Sequence, residues 1–141
     1  MQLLTVITGL VLAVLLGLAL YVRLAPSDPA RWHADPATIP DPRSPNFARR
    51  SAEIALPLPE VAERLADRAR RAGAVRLAGD AHLSTWVVRS RLMGFPDYVT
   101  IRLDETATGT RITALSRARF GHGDMGVNAA RLDRWIDDLS R

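Results

Sequence analysis

Twenty residues near the N-terminus, Leu3 to Val22, carry no charge and sixteen apolar side chains (LLTVITGLVLAVLLGLALYV). As a helix rising about 1.5 Å per residue they extend roughly 30 Å, the thickness of a bilayer's hydrocarbon core. A cleavable signal peptide, the rival reading, calls for a positive n-region, a shorter apolar run and a small-x-small site. Here only Met1-Gln2 precede the run, and Tyr21-Val22-Arg23-Leu24 closes it. We read residues 1–24 as an uncleaved, single-pass anchor, which makes the lipid bilayer the first expected partner. Arginine flanks it only on the C-terminal side, at Arg23 and Arg31, and the positive-inside rule then puts the rest of the chain in the cytoplasm. Thr5, Gly9, Ala13 and Gly17 form a ladder of small side chains on one helix face. That spacing lets two helix backbones approach closely in lipid, so another membrane helix or a second copy of this chain is an expected partner.

What is missing restricts the chemistry of the remainder. The chain has 141 residues, room for one domain; it has no cysteine, and all 19 basic residues are arginine. That excludes a disulfide framework, a thiolate metal site and a cysteine nucleophile. It also excludes Schiff-base chemistry and a P-loop, which need a lysine. The whole formal charge of +4 lies outside the apolar run. No basic run and no aromatics interleaved with arginine accompany it, so nucleic acid is not an expected partner.

Between Ala25 and Ser51 stand six of the nine prolines: Pro26, Pro29, Pro36, Pro40, Pro42 and Pro45. Proline fixes φ and removes a donor, so residues 25–51 read as a linker that is neither helix nor central strand. Trp32, Ile39 and Phe47 are the side chains expected to pin it to the domain.

From residue 52 the pattern alternates. Glu53 to Leu56 reads as a short strand. A helix follows, with Pro59 at its first position and Glu60 and Glu63 at its positive end. Its stripe is Val61, Ala62, Leu65, Ala66, Ala69 and Ala72, and Gly73 caps it. Extended segments are predicted at Ala74–Asp80, Leu83–Leu92, Tyr98–Asp104 and Thr110–Phe120, divided by turn residues. A last helix runs from Asn128 to Ser140 with Leu132, Trp135, Ile136 and Leu139 on one face. The order β-α-β-β-β-β-α predicts an α+β domain over 52–141, a two-layer sandwich with both helices on one face of an antiparallel sheet. Strand alternation puts Trp86, Val88, Val99, Ile101, Leu103, Ile112 and Ala114 on the helix-covered face. Arg89, Arg91, Arg102, Arg111, Arg117 and Arg119 fall in the opposite phase, a positive face suited to carboxylate, phosphate or an anionic lipid.

The most distinctive stretch runs from Ser116 to Asn128 (SRARFGHGDMGVN), with three glycines in six residues between the last strand and the last helix. Asp124 or Asn128 is placed to cap that helix, whose N-terminus beside arginine suits an anion. Here the sequence resembles the bacterial and plastid family known as domain of unknown function 1499. The residues that carry the likeness are Ser116, Arg119, Gly121, Asp124, Gly126, Val127 and Asn128, with Arg131 following. Ser90, Leu92, Phe95, Asp97 and Val99 match a second element, and Ser44-Pro45-Asn46 a third. The likeness extends from about Pro42 to the C-terminus. Relatives often carry cysteines where this chain has Asp41 and Phe47, and often an export signal, which implies an extracytoplasmic domain. The side of the membrane therefore stays open. The resemblance implies no activity, cofactor or substrate.

The candidate ligand-binding residues are therefore Ser116, Arg119, His122, Asp124 and Asn128 at the corner, with Arg89 and Arg91 on the sheet. No catalytic residue is assigned. His33 and His82 are isolated, and no ligand spacing for a metal or cofactor is visible. The expected function is a membrane-anchored binding or scaffold domain contacting an anionic lipid or ligand. The alternatives are a hydrolase or isomerase built on Arg119, His122 and Asp124, or a subunit of a membrane complex.

Overall fold

The computed structural model describes residues 1–91 and 93–141. Leu92, the predicted end of one strand and part of the second family element, lies outside the described residues. The N-terminal run is a single helix, α1 (Gln2–Leu24). None of its most apolar 18-residue window is buried against the protein. Its last turn touches the domain, through the buried Val22 and an edge contact between the Tyr21 and Phe120 rings, 6.4 Å apart.

The domain follows the predicted order, with β1 (Phe47–Ile54), α3 (Leu58–Arg71), β2 (Val75–Gly79), β3 (Leu83–Arg89), β4 (Pro96–Thr106), β5 (Gly109–Ala118) and α4 (Val127–Leu139). The strands form one antiparallel sheet in the order β1-β5-β4-β3-β2. The last four strands make a meander, and β1 returns to pair with β5 from Phe47↔Arg117 to Ile54↔Thr110. That pairing corrects the expected strand start: β1 begins six residues before Glu53, inside the stretch read as linker. Its alternation had been masked by the run Ala48-Arg49-Arg50-Ser51, in which the arginines bond to groups on either side of the sheet.

Both helices lie on one face. Leu58, Val61, Leu65 and Ala69 of α3 and Leu132, Trp135 and Leu139 of α4 are buried against Trp86, Val99, Ile101, Leu103, Ile112 and Ala114. Each Val, Leu or Ile side chain so removed from water contributes about 1.5–3 kcal/mol, and each Ala methyl less. Ala72, expected in the stripe, is the exposed C-cap of α3, and Gly73 beyond it takes φ +72°.

The opposite face differs from expectation. It is not open: the linker lies across it. Within the linker, Asp28 caps a single helical turn, α2 (Pro29–Trp32), its Oδ1 accepting from the Ala30 N–H at 2.9 Å. Proline suits the first position of a helix, where no donor is required, so the proline-rich stretch is helical where no helix was expected. Trp32 stacks on Tyr98 with ring centroids 3.9 Å apart, the ring planes 8° from parallel. Tyr98 is completely buried, and its hydroxyl bonds to Ser27 at 2.8 Å. His33 Nδ1 meets Thr85 Oγ1 at 2.9 Å, and Thr85 in turn bonds Thr100. Of the expected pins, Trp32 is buried, Ile39 is half-buried, and Phe47 belongs to β1.

Candidate functional site

Six arginines were expected to share the linker-side face as free anion ligands, and the chain itself uses most of that face. Arg102 pairs with Asp35 of the linker and with Asp104, and these partners raise its pKa. Arg117 donates to the Trp32 carbonyl at 2.9 Å and lies 4.9 Å from the Trp32 ring. Burial, aided by nearby Arg31, lowers its pKa. Arg111 is exposed at the start of β5. Arg91 and Arg119 lie beyond the strand ends at Arg89 and Ala118 and so are not on the sheet. Arg89, exposed at the end of β3, donates to the Gly94 carbonyl at 2.9 Å.

The corner predicted from the motif is a closed hydrogen-bond network centred on Asn128, which is fully buried. Asn128 Nδ2 donates to Asn46 Oδ1 at 3.0 Å and to Asp124 Oδ2 at 2.6 Å. Its Oδ1 accepts from Ser116 Oγ and, at 2.9 Å, from Arg131 Nη1. Both amide hydrogens and both carbonyl lone pairs are thereby used. Arg131 Nη1 also donates to Ser116 Oγ at 2.9 Å, and its Nη2 to Asp97 Oδ2 at 2.7 Å. Asp124 accepts from the backbone N–H groups of Gly126 at 3.0 Å and Asn128 at 2.7 Å, so it caps the first turn of α4. Asn46 Nδ2 reaches the Phe120 carbonyl at 3.2 Å, which ties β1 into the corner.

The two carboxylates of the network sit in different fields. Burial pushes the Asp97 carboxyl above its ordinary range, with the Arg131 bond and charge opposing. Burial also acts to raise Asp124, but the bonds from Asn128 and Gly126 outweigh it and hold the group below the ordinary value.

Of the predicted site residues, Ser116, Asp124 and Asn128 meet here. Arg119 does not: it donates to the Pro26 carbonyl at 2.7 Å and lies 5.2 Å from the Phe120 ring. His122 is exposed in the glycine-rich loop and takes no part in the network. Asp97, Asn46 and Arg131 were not among the candidates, although all three stood in the elements of the family pattern. Their signal lay in that pattern, since spacing along the chain does not bring residues 46, 97 and 131 together. The corner is filled by its own bonds, which suits a lock between sheet and helix better than a reaction centre. Among the described residues no group of three acidic or histidine side chains is placed to hold a metal ion.

The solved structures that resemble this fold include two with TM-scores above 0.5. One is protein CV1439 from Chromobacterium violaceum, with 11% identity and a TM-score of 0.52, over 68% of this chain and 96% of that one. The other is protein MLL2253 from Mesorhizobium loti, also 11% identical, with a TM-score of 0.53 over 67% of this chain and 93% of that one. At such identity the likeness concerns the fold alone. Among curated proteins none matches the sequence. The three motif segments that converge on Asn128 fall within residues 23–139, which match the family described as "Protein of unknown function (DUF1499)", and the chain belongs to that family.

Proposed function

We propose that the protein is a single-pass membrane protein whose α+β domain is a binding or scaffold module held at the bilayer surface. The observation that carries this reading is where the apolar helix joins the domain. The last turn of α1 packs on the end of the sheet that holds the β3–β4 and β5–α4 loops. Arg23 packs against Gly94 there, and the Phe95 and Phe120 rings lie 6.1 Å apart. The same loops expose Met93, Phe95 and Met125, with Met125 wholly in solvent, and Val127 at the start of α4 is exposed beside them. Exposed apolar side chains gathered on one end of a small domain suit an interface rather than water. Arg23, Arg91 and Arg119 flank them, and basic residues near an anionic leaflet add about 1 kcal/mol each.

The Thr5, Gly9, Ala13 and Gly17 face of α1 is uncovered by this chain: a Cβ added at Gly9 or Gly17 would meet nothing within 4 Å. That leaves room for the second membrane helix expected from the ladder.

Carbonate extraction of cells making the full-length chain tests the anchor, together with the intact mass of the product. The expected result is protein in the membrane pellet with Met1 to Leu24 still attached. A released species lacking the apolar run overturns the reading in favour of a signal peptide. A reporter fused after Arg141 identifies the side of the membrane.

A further inference from the structure

Beside the closed corner lies a cleft of about 330 Å³, between α3, the end of β3 and the first turns of α4. That volume is within the usual range for small-ligand sites. Arg68, Arg89, Arg91, Arg131 and Arg134 line it together with the buried Trp135, and no carboxylate does. Two of the five have acidic partners: Arg68 lies 2.6 Å from Asp138 and Arg131 lies 2.7 Å from Asp97. Five guanidinium groups less two carboxylates leave three positive charges in excess. Arg91 and Arg134 have no hydrogen-bonded or acidic partner among the described residues, and both are exposed.

Like charges converging on one concave site repel one another unless an anion is present, and clefts of one sign concentrate the opposite ion. Guanidinium groups present paired N–H donors that match the oxygens of phosphate. The mouth of the cleft adjoins Val127 and the loop holding Met93 and Phe95, where the end of α1 also packs. The geometry points to this cleft as a binding site for a phosphate group, carried by an anionic phospholipid headgroup. The lipid as source rests on the membrane reading above; the phosphate chemistry of the cleft does not.

The test uses the full-length protein in nanodiscs of phosphatidylcholine, with and without phosphatidylglycerol. Native mass spectrometry counts retained lipids, and calorimetry follows inorganic phosphate and glycerol 3-phosphate. Wild type is expected to retain one phosphatidylglycerol in preference to phosphatidylcholine. The double variant Arg91→Gln/Arg134→Gln, altered only at exposed positions, is expected to bind it roughly thirtyfold more weakly. Arg111→Gln, at the opposite end of the sheet, is expected to match wild type. Equal lipid retention by the double variant and Arg111→Gln overturns the site. Tighter binding of glycerol 3-phosphate or inorganic phosphate than of lipid overturns the lipid as source. If carbonate removes the protein from membranes while retention stays sensitive to Arg91 and Arg134, the anchor fails and the cleft stands.

Discussion

Replacing Asn128 with alanine isolates what the corner network contributes. Asn128 is fully buried and its amide makes four bonds. In Asn128→Ala, Asn46 Oδ1 loses its donor and Ser116 Oγ loses its acceptor. Arg131 keeps Ser116 and Asp97, and Asp124 keeps the backbone N–H groups of Gly126 and residue 128. Two neutral buried groups are left unpaired, each costing about 1–3 kcal/mol. The lost side chain also leaves a small void. The expected destabilisation is therefore about 3 kcal/mol, a large share of the roughly 5–15 kcal/mol that holds a domain folded. Urea unfolding of the full chain in mild detergent measures it through tryptophan fluorescence, because Trp32, Trp86 and Trp135 all lie outside α1. The midpoint is expected to fall with the slope unchanged. Asn46→Ala combined with Asn128→Ala is expected to cost at least about 1 kcal/mol less than the sum of the two, since they share one bond. A loss below about 0.5 kcal/mol for Asn128→Ala, or full additivity with Asn46→Ala, refutes the network.

Three further perturbations have defined outcomes. Arg49 reaches Asp41 through Nε, the Pro36 carbonyl through Nη1 and the Ile39 carbonyl through Nη2. Arg49→Lys keeps the charge but not the fork, so about 1–2 kcal/mol is expected to be lost and proteolysis within residues 36–46 to accelerate. For acid titration, Asp124 lies below its unfolded pKa, so its stabilisation is complete above that value and lost as pH falls through the folded one. Asp97 lies above its unfolded pKa, so its contribution is present in acid and lost as pH rises through the folded value. Asp124→Asn is therefore expected to flatten the loss of stability in acid and Asp97→Asn to steepen it, as measured by urea midpoints across the acid range. Because the chain has no cysteine, Met125→Cys gives a single labelling site. An environment-sensitive dye there is expected to shift to the blue in vesicles and to be quenched by lipid-borne quenchers. A water-like spectrum in a fully membrane-integrated protein refutes the contact of this end with the bilayer.

The elements legible in the sequence were those whose patterns are local. The stripe of Val61, Leu65 and Ala69, the face of Leu132, Trp135 and Leu139, and the alternation around Trp86, Val99 and Ile112 identified both helices and the covered sheet face. The first half of β1 was not legible because its pairing with β5 joins residues about 70 apart, and Ala48-Arg49-Arg50-Ser51 carries no period of its own. At the corner, Ser116, Asp124 and Asn128 stood close enough in the chain to be read together. Arg131 and Asp97 join them only through the fold, one from the second turn of α4 and the other from the start of β4. Arg119 was misplaced for the converse reason: it is adjacent to the motif in sequence, but β5 ends at Ala118 and its side chain turns to the Pro26 carbonyl.

The arginines of the linker-side face show why alternation alone cannot tell a ligand-binding surface from a covered one. Six prolines between residues 25 and 46 remove six N–H donors from the linker before β1, which disfavours a β ladder there, yet its carbonyls still need partners once water is excluded. Arg49, Arg117 and Arg119 supply them, at Pro36, Ile39, Trp32 and Pro26. Trp32 and Tyr98 supply the apolar contact beneath. A guanidinium can serve two or three such acceptors from one side chain, which an ammonium on a flexible stem does less well. The polar phase of the sheet is thus matched to a polar, donor-poor strap. Arg91 and Arg134, which line the cleft beside the corner, have no hydrogen-bonded partner among the described residues. Arginine within this one fold fastens the chain to itself at Arg49, Arg102, Arg117 and Arg119, while Arg91 and Arg134 at the cleft and Arg111 at the far end of the sheet are exposed without an acidic partner among the described residues.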